Sequence, residues 1–170
     1  IEELKQWRHD GDSVLIGSCV TYREIEHGAL STLIPALAQS ARTIGSPQIR
    51  NTGTIGGNLA TASPAGDMIP VLLALGALVN VRSRSGVRQL QVDELITGVK
   101  TNSLREDEFI ESVRVPVLRG PQEFLKVGPR NAMVISVSSL AMVTDIDREY
   151  IGIAFCLLYT SDAADETTGV

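Results

Sequence analysis

Residues 53–67, GTIGGNLATASPAGD, constrain this chain more than any other stretch. Small residues, a paired glycine, an asparagine and an aspartate crowd together between apolar runs. Such a backbone has few side chains to hold a ligand at a distance, and its N–H groups can approach an anion closely. Taken alone, Gly56-Gly57 is as well explained by a bulge or a tight turn. Its surroundings add to it: Asn58, Thr61 and Ser63 supply short hydrogen-bonding groups, and Asp67 stands where a helix would start. That combination suits ribose hydroxyls and phosphate oxygens. No Gly-Lys-Ser/Thr closes the segment and the G-x-G-x-x-G spacing is absent, so it is neither a Walker A loop nor a Rossmann fingerprint. Nucleotide binding is the first expectation.

The flanking elements are short and local. Residues 4–9 and 13–17 read as strands around Asp10-Gly11. Thr21 and Glu24 form a capping-box pattern for a helix through Ile25, and residues 33–44 read as a second helix with Leu33, Leu37 and Ala41 on one face. The Ser-Pro in residues 45–50 predicts extended chain, and the glycine-rich segment predicts loop or irregular turns. Asp67 is expected to cap a helix through Leu75, with Pro70 in its first turn and Gly76 as the stop. A strand pair over 77–83 and 87–92, a brief helix capped by Asp93 and a strand over 108–116 follow. From about Pro121 a second unit is expected: a strand over 122–127, then a hairpin of 136–144 with 150–155. Short helices among locally paired strands predict an α+β fold rather than a doubly wound sheet.

Composition narrows the function classes. A hydrophobic fraction of 44% in 170 residues supports one packed core, or one and part of another. A formal net charge of -5 with scattered basic residues argues against a nucleic-acid binder. The longest apolar run, residues 68–79, is interrupted by Pro70 and Gly76 and is too short to span a bilayer. Cys19 and Cys156 are too few for a disulfide framework or a cluster site, and the expectation is two reduced thiols in a cytoplasmic protein. His9 and His27 lack partners at metal spacing, so no metal site is expected. Trp7 reads as a half-buried strand residue, Arg50 as the partner of a carboxylate, and residues 106–108 as a solvated turn.

The segment SPQIRNTGTIGGNLATASPAGDMIPVLLALGA, followed by FLKVGPRNAMVISVSSLAMV, resembles the FAD-binding domain of the molybdenum hydroxylases. These include the flavoprotein subunits of xanthine dehydrogenase and aerobic carbon monoxide dehydrogenase. The resemblance covers most of residues 17–155. It implies the second part of a two-part FAD-binding domain of the vanillyl-alcohol-oxidase type, over 1–118, followed by the start of a small α/β domain over 121–155. It also implies an oxidoreductase subunit whose flavin takes electrons from iron–sulfur clusters and passes them to NAD, oxygen or another acceptor. The molybdopterin and the clusters would sit on a large and a small partner subunit. The family's TIGG motif falls on Thr54, Ile55, Gly56 and Gly57, with Asn58 next. Its acidic cofactor contact falls on Asp67, apolar contacts on Ile44 and Ile110, and a lysine near the flavin on Lys126, where positive charge favours the anionic reduced form. Read from the residues alone, Ile44 and Ile110 are core positions and Lys126 a surface lysine. No catalytic acid–base pair or nucleophile is expected.

Two departures from that pattern carry expectations. The family's earlier glycine-rich loop has no counterpart before Thr54, where Gly11, Gly17 and Gly28 stand alone, so the chain is expected to start inside a longer reading frame and by itself to bind FAD weakly or not at all. After Phe155 the resemblance stops. CLLYTSDAADE reads as the translation of a transposase-type sequencing adaptor, so residues 156–170 are expected to be a non-native tail. Without that tail the formal charge moves from -5 to -2, because Asp162, Asp165 and Glu166 leave with it. Two further readings stand beside the flavoprotein: a flavin-free assembly module of the same fold, and a phosphate- or nucleotide-binding regulatory domain.

Overall fold

In the computed structural model, which describes residues 1–130 and 133–156, a 3-10 turn at Glu2–Lys5 leads into β1 (Trp7–Asp10) and β2 (Ser13–Gly17). The two strands pair antiparallel around a turn in which Gly11 has φ +63°, a conformation that side-chain-bearing residues adopt at a cost. Helix α1 (Tyr22–His27) starts on the expected capping box: Thr21 Oγ1 accepts from Glu24 N at 3.3 Å, and Thr21 N donates to Glu24 Oε2 at 2.8 Å.

Three expectations are then corrected. The helix read over 33–44 is split into α2 (Leu30–Leu33) and α3 (Pro35–Thr43). Pro35 drives Ile34 out of the helical region, to φ -136° and ψ 76°, and then serves as the first residue of the new helix. Residues 45–50 are not extended. Ser46 Oγ accepts from Ile49 N and Pro47 opens α4 (Pro47–Thr52), so the Ser-Pro pair is a helix start. The glycine-rich segment is not loop throughout, because α5 spans Ile55–Thr61.

Helix α6 (Met68–Ala74), β3 (Leu78–Ser83) and β4 (Gly86–Gln91) follow as expected. The brief helix α7 (Val92–Leu95) is held by Glu94 reaching back to Gln91 N at 2.8 Å, so its cap lies two residues earlier than the expected Asp93. A small ribbon of β5 (Ile96–Gly98) and β6 (Thr101–Asn102) has no counterpart in the sequence reading. The chain continues through β7 (Phe109–Pro116), β8 (Gln122–Val127), β9 (Ser138–Asp145) and β10 (Tyr150–Cys156). Of the tail expected over 156–170, all but Cys156 lies outside the described residues.

Every strand pairing among the described residues is antiparallel, in keeping with the expected α+β fold. A five-stranded sheet has the order β1-β2-β7-β3-β4, and a three-stranded sheet the order β10-β9-β8. The inner face of the larger sheet presents Val14, Ile16, Val79, Val81, Val113 and Val115, all buried. The helical layer lies between the sheets. On its far side α3 packs against β8, and α6 against β9 and β10. Polar bonds fix this second contact: Phe124 N donates to Gln39 Oε1 at 2.6 Å, and the Tyr150 hydroxyl to Ala74 O at 2.6 Å. One apolar core therefore runs from Val14 on the first sheet to Val143 on the second. No helix among the described residues is long and apolar enough to cross a membrane.

Candidate functional site

The glycine-rich segment is stitched to the chain that leaves β2. Tyr22 N donates to Gly53 O at 3.0 Å, Ile55 N to Val20 O at 3.1 Å, and Gly56 N to Ser18 O at 2.9 Å. Ser18 N is itself bonded to Glu111 O on β7 at 3.0 Å, where the β3–β7 register shifts. The start of α5 is thus anchored to the large sheet rather than held by helix propensity, which glycines would weaken. Thr54 caps it, its Oγ1 accepting from Gly57 N at 3.1 Å. Asn58 N bonds to Thr54 O at 3.0 Å, so all four amides from Ile55 to Asn58 have partners within the chain.

The two glycines have different jobs. A Cβ on Gly56 would lie 2.5 Å from Ser18 Cβ and 2.8 Å from Ser18 O, so this glycine is needed for close packing. A Cβ on Gly57 would meet only Thr54 Oγ1, at 3.2 Å, and Gly57 is exposed. Gly57 therefore keeps an outward surface bare. Thr54, Gly56, Gly57 and Ile110 line a shallow depression of about 270 Å³, together with Ser18 and Cys19. Ile55 is fully buried and belongs to the core beneath this surface.

Asp67, Lys126 and the neighbourhood of Ile44 form a second cluster. Asp67 stands before α6 but its side chain caps nothing, which corrects the expected N-cap. Instead the carboxylate is buried and fully engaged. Oδ2 accepts from Lys126 Nζ at 2.5 Å and from Thr43 Oγ1 at 3.0 Å, and Oδ1 accepts from Ser136 Oγ at 2.6 Å. Lys126 Nζ also donates to Thr43 O at 3.2 Å. Lys126 is not a surface lysine: its side chain is 8% exposed, because a charge taken out of water must find a partner and Asp67 supplies one. Thr43 and Lys126 line a cleft of about 800 Å³ whose wall also carries Arg42, Gly45, Arg50 and Arg130. Ile44, half-buried, packs against the core at the end of α3, between the cleft residues Thr43 and Gly45.

Asn58 Nδ2 donates to the Tyr22 hydroxyl at 3.2 Å, while its Oδ1 is buried without a hydrogen-bond partner. Burial pushes the Tyr22 hydroxyl above its ordinary pKa, and the negative charge of Asp67 adds to that push. Arg50 pairs with Glu26 at 3.0 Å, as expected for a carboxylate partner. Glu108 departs from the expected solvated turn. Arg88 bonds it twice, at 2.7 and 2.8 Å, and Arg105 N donates to it at 2.8 Å. Those bonds hold its carboxyl down at about 2. Sequence reasoning missed Thr43 and Ser136, whose only signal is contact with a residue 24 or 69 positions away.

These features fit an anionic, partly aromatic cofactor such as FAD. Gly57 leaves a bare surface, Thr54 Oγ1 accepts a bond and keeps its own proton for donation, and the second cleft is basic. The unpartnered Asn58 Oδ1 is an acceptor in want of a donor. Among the described residues no group of His, Cys, Asp and Glu is arranged to hold a metal ion.

Comparison with known proteins gives a consistent picture. Residues 1–118 match the family described as the FAD binding domain in molybdopterin dehydrogenase. The chain is 35% identical over 153 residues to the nicotinate dehydrogenase FAD-subunit of Eubacterium barkeri, covering 86% of this chain and 52% of that protein. Among solved structures, carbon monoxide dehydrogenase from Hydrogenophaga pseudoflava aligns with a TM-score of 0.82 and 26% identity, over 92% of this chain and 56% of that one. Quinoline 2-oxidoreductase from Pseudomonas putida 86 has the same fold, with a TM-score of 0.84 at 22% identity over 93% of this chain and 56% of that one. The chain spans about half the length of the curated relatives it matches.

Proposed function

We propose, since this chain belongs to the family of FAD-binding domains of molybdopterin dehydrogenases, that it contributes one wall of a flavin site in an electron-transferring oxidoreductase subunit. FAD supplies the redox centre when bound. Thr54, Gly57 and Asn58 would meet its polar, phosphate-bearing part, with Gly56 and Ile55 setting their position. Asp67, Lys126, Ile44 and Ile110 would border the remainder. The chain's own residues bind, orient and set local charge. Substrate oxidation would take place on another subunit.

The wider reading follows the relatives. A large molybdopterin-binding subunit and a small iron–sulfur subunit would deliver electrons, and NAD, oxygen or another acceptor would remove them. The complex would be cytoplasmic. Residues 1–118 would form the FAD-binding part and 121–155 the start of the next domain.

The observation that carries the reading is the bare Gly57 surface beside the Thr54 hydroxyl, inside the matched segment. The test is titration of the complete polypeptide carrying these residues with FAD, FMN and ATP, followed by flavin fluorescence and calorimetry. Selective binding of FAD is expected. Equal binding of ATP would favour a nucleotide-binding regulator, and a folded protein that binds none of the three would favour an assembly module.

A further inference from the structure

Asp67 receives three side-chain donors from three separate parts of the chain: Thr43 at the end of α3, Lys126 on β8, and Ser136 ahead of β9. Two of the donors are neutral hydroxyls, and they approach different oxygens of the carboxylate. A carboxylate gripped at both oxygens cannot rotate about its terminal bond without losing a hydrogen bond. Its Oδ2 is therefore kept facing Lys126 Nζ at 2.5 Å. Thr43 acts twice, since its backbone carbonyl also accepts from Lys126 Nζ at 3.2 Å.

We infer that Thr43 and Ser136 are positioning residues. Their hydroxyls fix the Asp67 carboxylate, and through it the Lys126 ammonium, at the wall of the basic cleft. Neither would need to touch the cofactor. The inference deepens the flavin reading given above for Asp67 and Lys126, and rests on it only for the statement that the cleft receives FAD. Its physical basis is the preorganisation of a charge: an ammonium already held in place loses little freedom when a ligand arrives.

The test reads the reactivity of Lys126 toward an acylating reagent in the flavin-free full chain, by peptide mass spectrometry. Lys5 and Lys100 are the other two lysines and serve as internal references. A buried, paired amine reacts only when its cluster opens. Removing one hydrogen bond to a charged group shifts such an opening by about tenfold. T43V and S136A are expected to speed Lys126 labelling by that factor without changing Lys5 or Lys100. T43S and S136T keep a hydroxyl and are expected to restore the slow rate. Equal Lys126 rates in all five proteins, or equal acceleration in the hydroxyl-retaining variants, would overturn the inference. A second arm repeats the Lys126 labelling in the complete wild-type polypeptide that carries these residues, with and without saturating FAD. Protection of Lys126 agrees with a cofactor in the cleft. Hydroxyl-dependent labelling with no FAD protection would uphold the positioning role and reject the flavin reading of Lys126.

Discussion

Replacing each of the paired glycines by alanine separates a packing requirement from a binding requirement. At Gly56 the new methyl would sit 2.5 Å from Ser18 Cβ, 2.8 Å from Ser18 O and 3.0 Å from Ser18 Cα. Ser18 cannot easily retreat, because its N–H is bonded to Glu111 O and its carbonyl accepts from Gly56 N. Overpacking of this kind costs about 1–3 kcal/mol, and the helix-propensity gain of alanine over glycine returns up to about 1 kcal/mol. A net loss of about 1–2 kcal/mol is expected for G56A. At Gly57 the methyl meets only the Thr54 hydroxyl, at 3.2 Å, which must give by a few tenths of an ångström. Weakening that cap costs up to about 1 kcal/mol and offsets a propensity gain of the same size, so G57A is expected to stay within about 1 kcal/mol of wild type. Denaturant unfolding measures both values. FAD titration of the complete polypeptide carrying each substitution then discriminates: G57A, though well folded, is expected to bind FAD at least about tenfold more weakly, because one misplaced methyl at a ligand surface costs about that much. A G57A protein with wild-type FAD affinity would refute the assignment of this surface to the cofactor. Wild-type stability for G56A would refute the packing argument.

Other perturbations follow from the ion pairs. D67N leaves the Lys126 ammonium buried without its counter-charge and is expected to cost about 3–5 kcal/mol in denaturant unfolding, whereas replacing both partners, D67L with K126M, is expected to recover most of that loss. Glu108 has its folded-state pKa lowered from 4.5 to about 2 by Arg88 and the Arg105 N–H. Its contribution to stability is therefore fully present above 4.5 and is lost as the pH falls toward 2. In E108Q the stability–pH curve is expected to be flatter across that interval, and an unchanged acid limb would count against the Arg88 contact.

Much of the scaffold was legible because its signals are local. Asp10-Gly11 and Ser85-Gly86 mark hairpins that pair as expected, and the Thr21–Glu24 capping box forms. The failures share a cause. Pro35 and Pro47 each open a helix, but as sequence signals they also read as breaks or extended chain, and only a preceding residue free to leave the helical region decides between them. Helix α5 was illegible because its support comes from Ser18 and Val20, more than thirty residues upstream. The candidate residues could be named through family resemblance, but not their arrangement. Nothing near Lys126 in sequence says that it is buried, since its partner Asp67 is 59 residues away. The same distance hid Thr43 and Ser136, two ordinary hydroxyls until the fold brings them to one carboxylate.

The most direct test of the central claim is hydrogen–deuterium exchange of the complete polypeptide with and without saturating FAD. Slowed exchange is expected in two separate regions, residues 53–62 around Thr54, Gly57 and Asn58, and residues 122–130 around Lys126, with the outer strands β1 and β4 unchanged. FAD that binds while leaving both regions as they were, or a folded polypeptide that takes up no FAD, would contradict it.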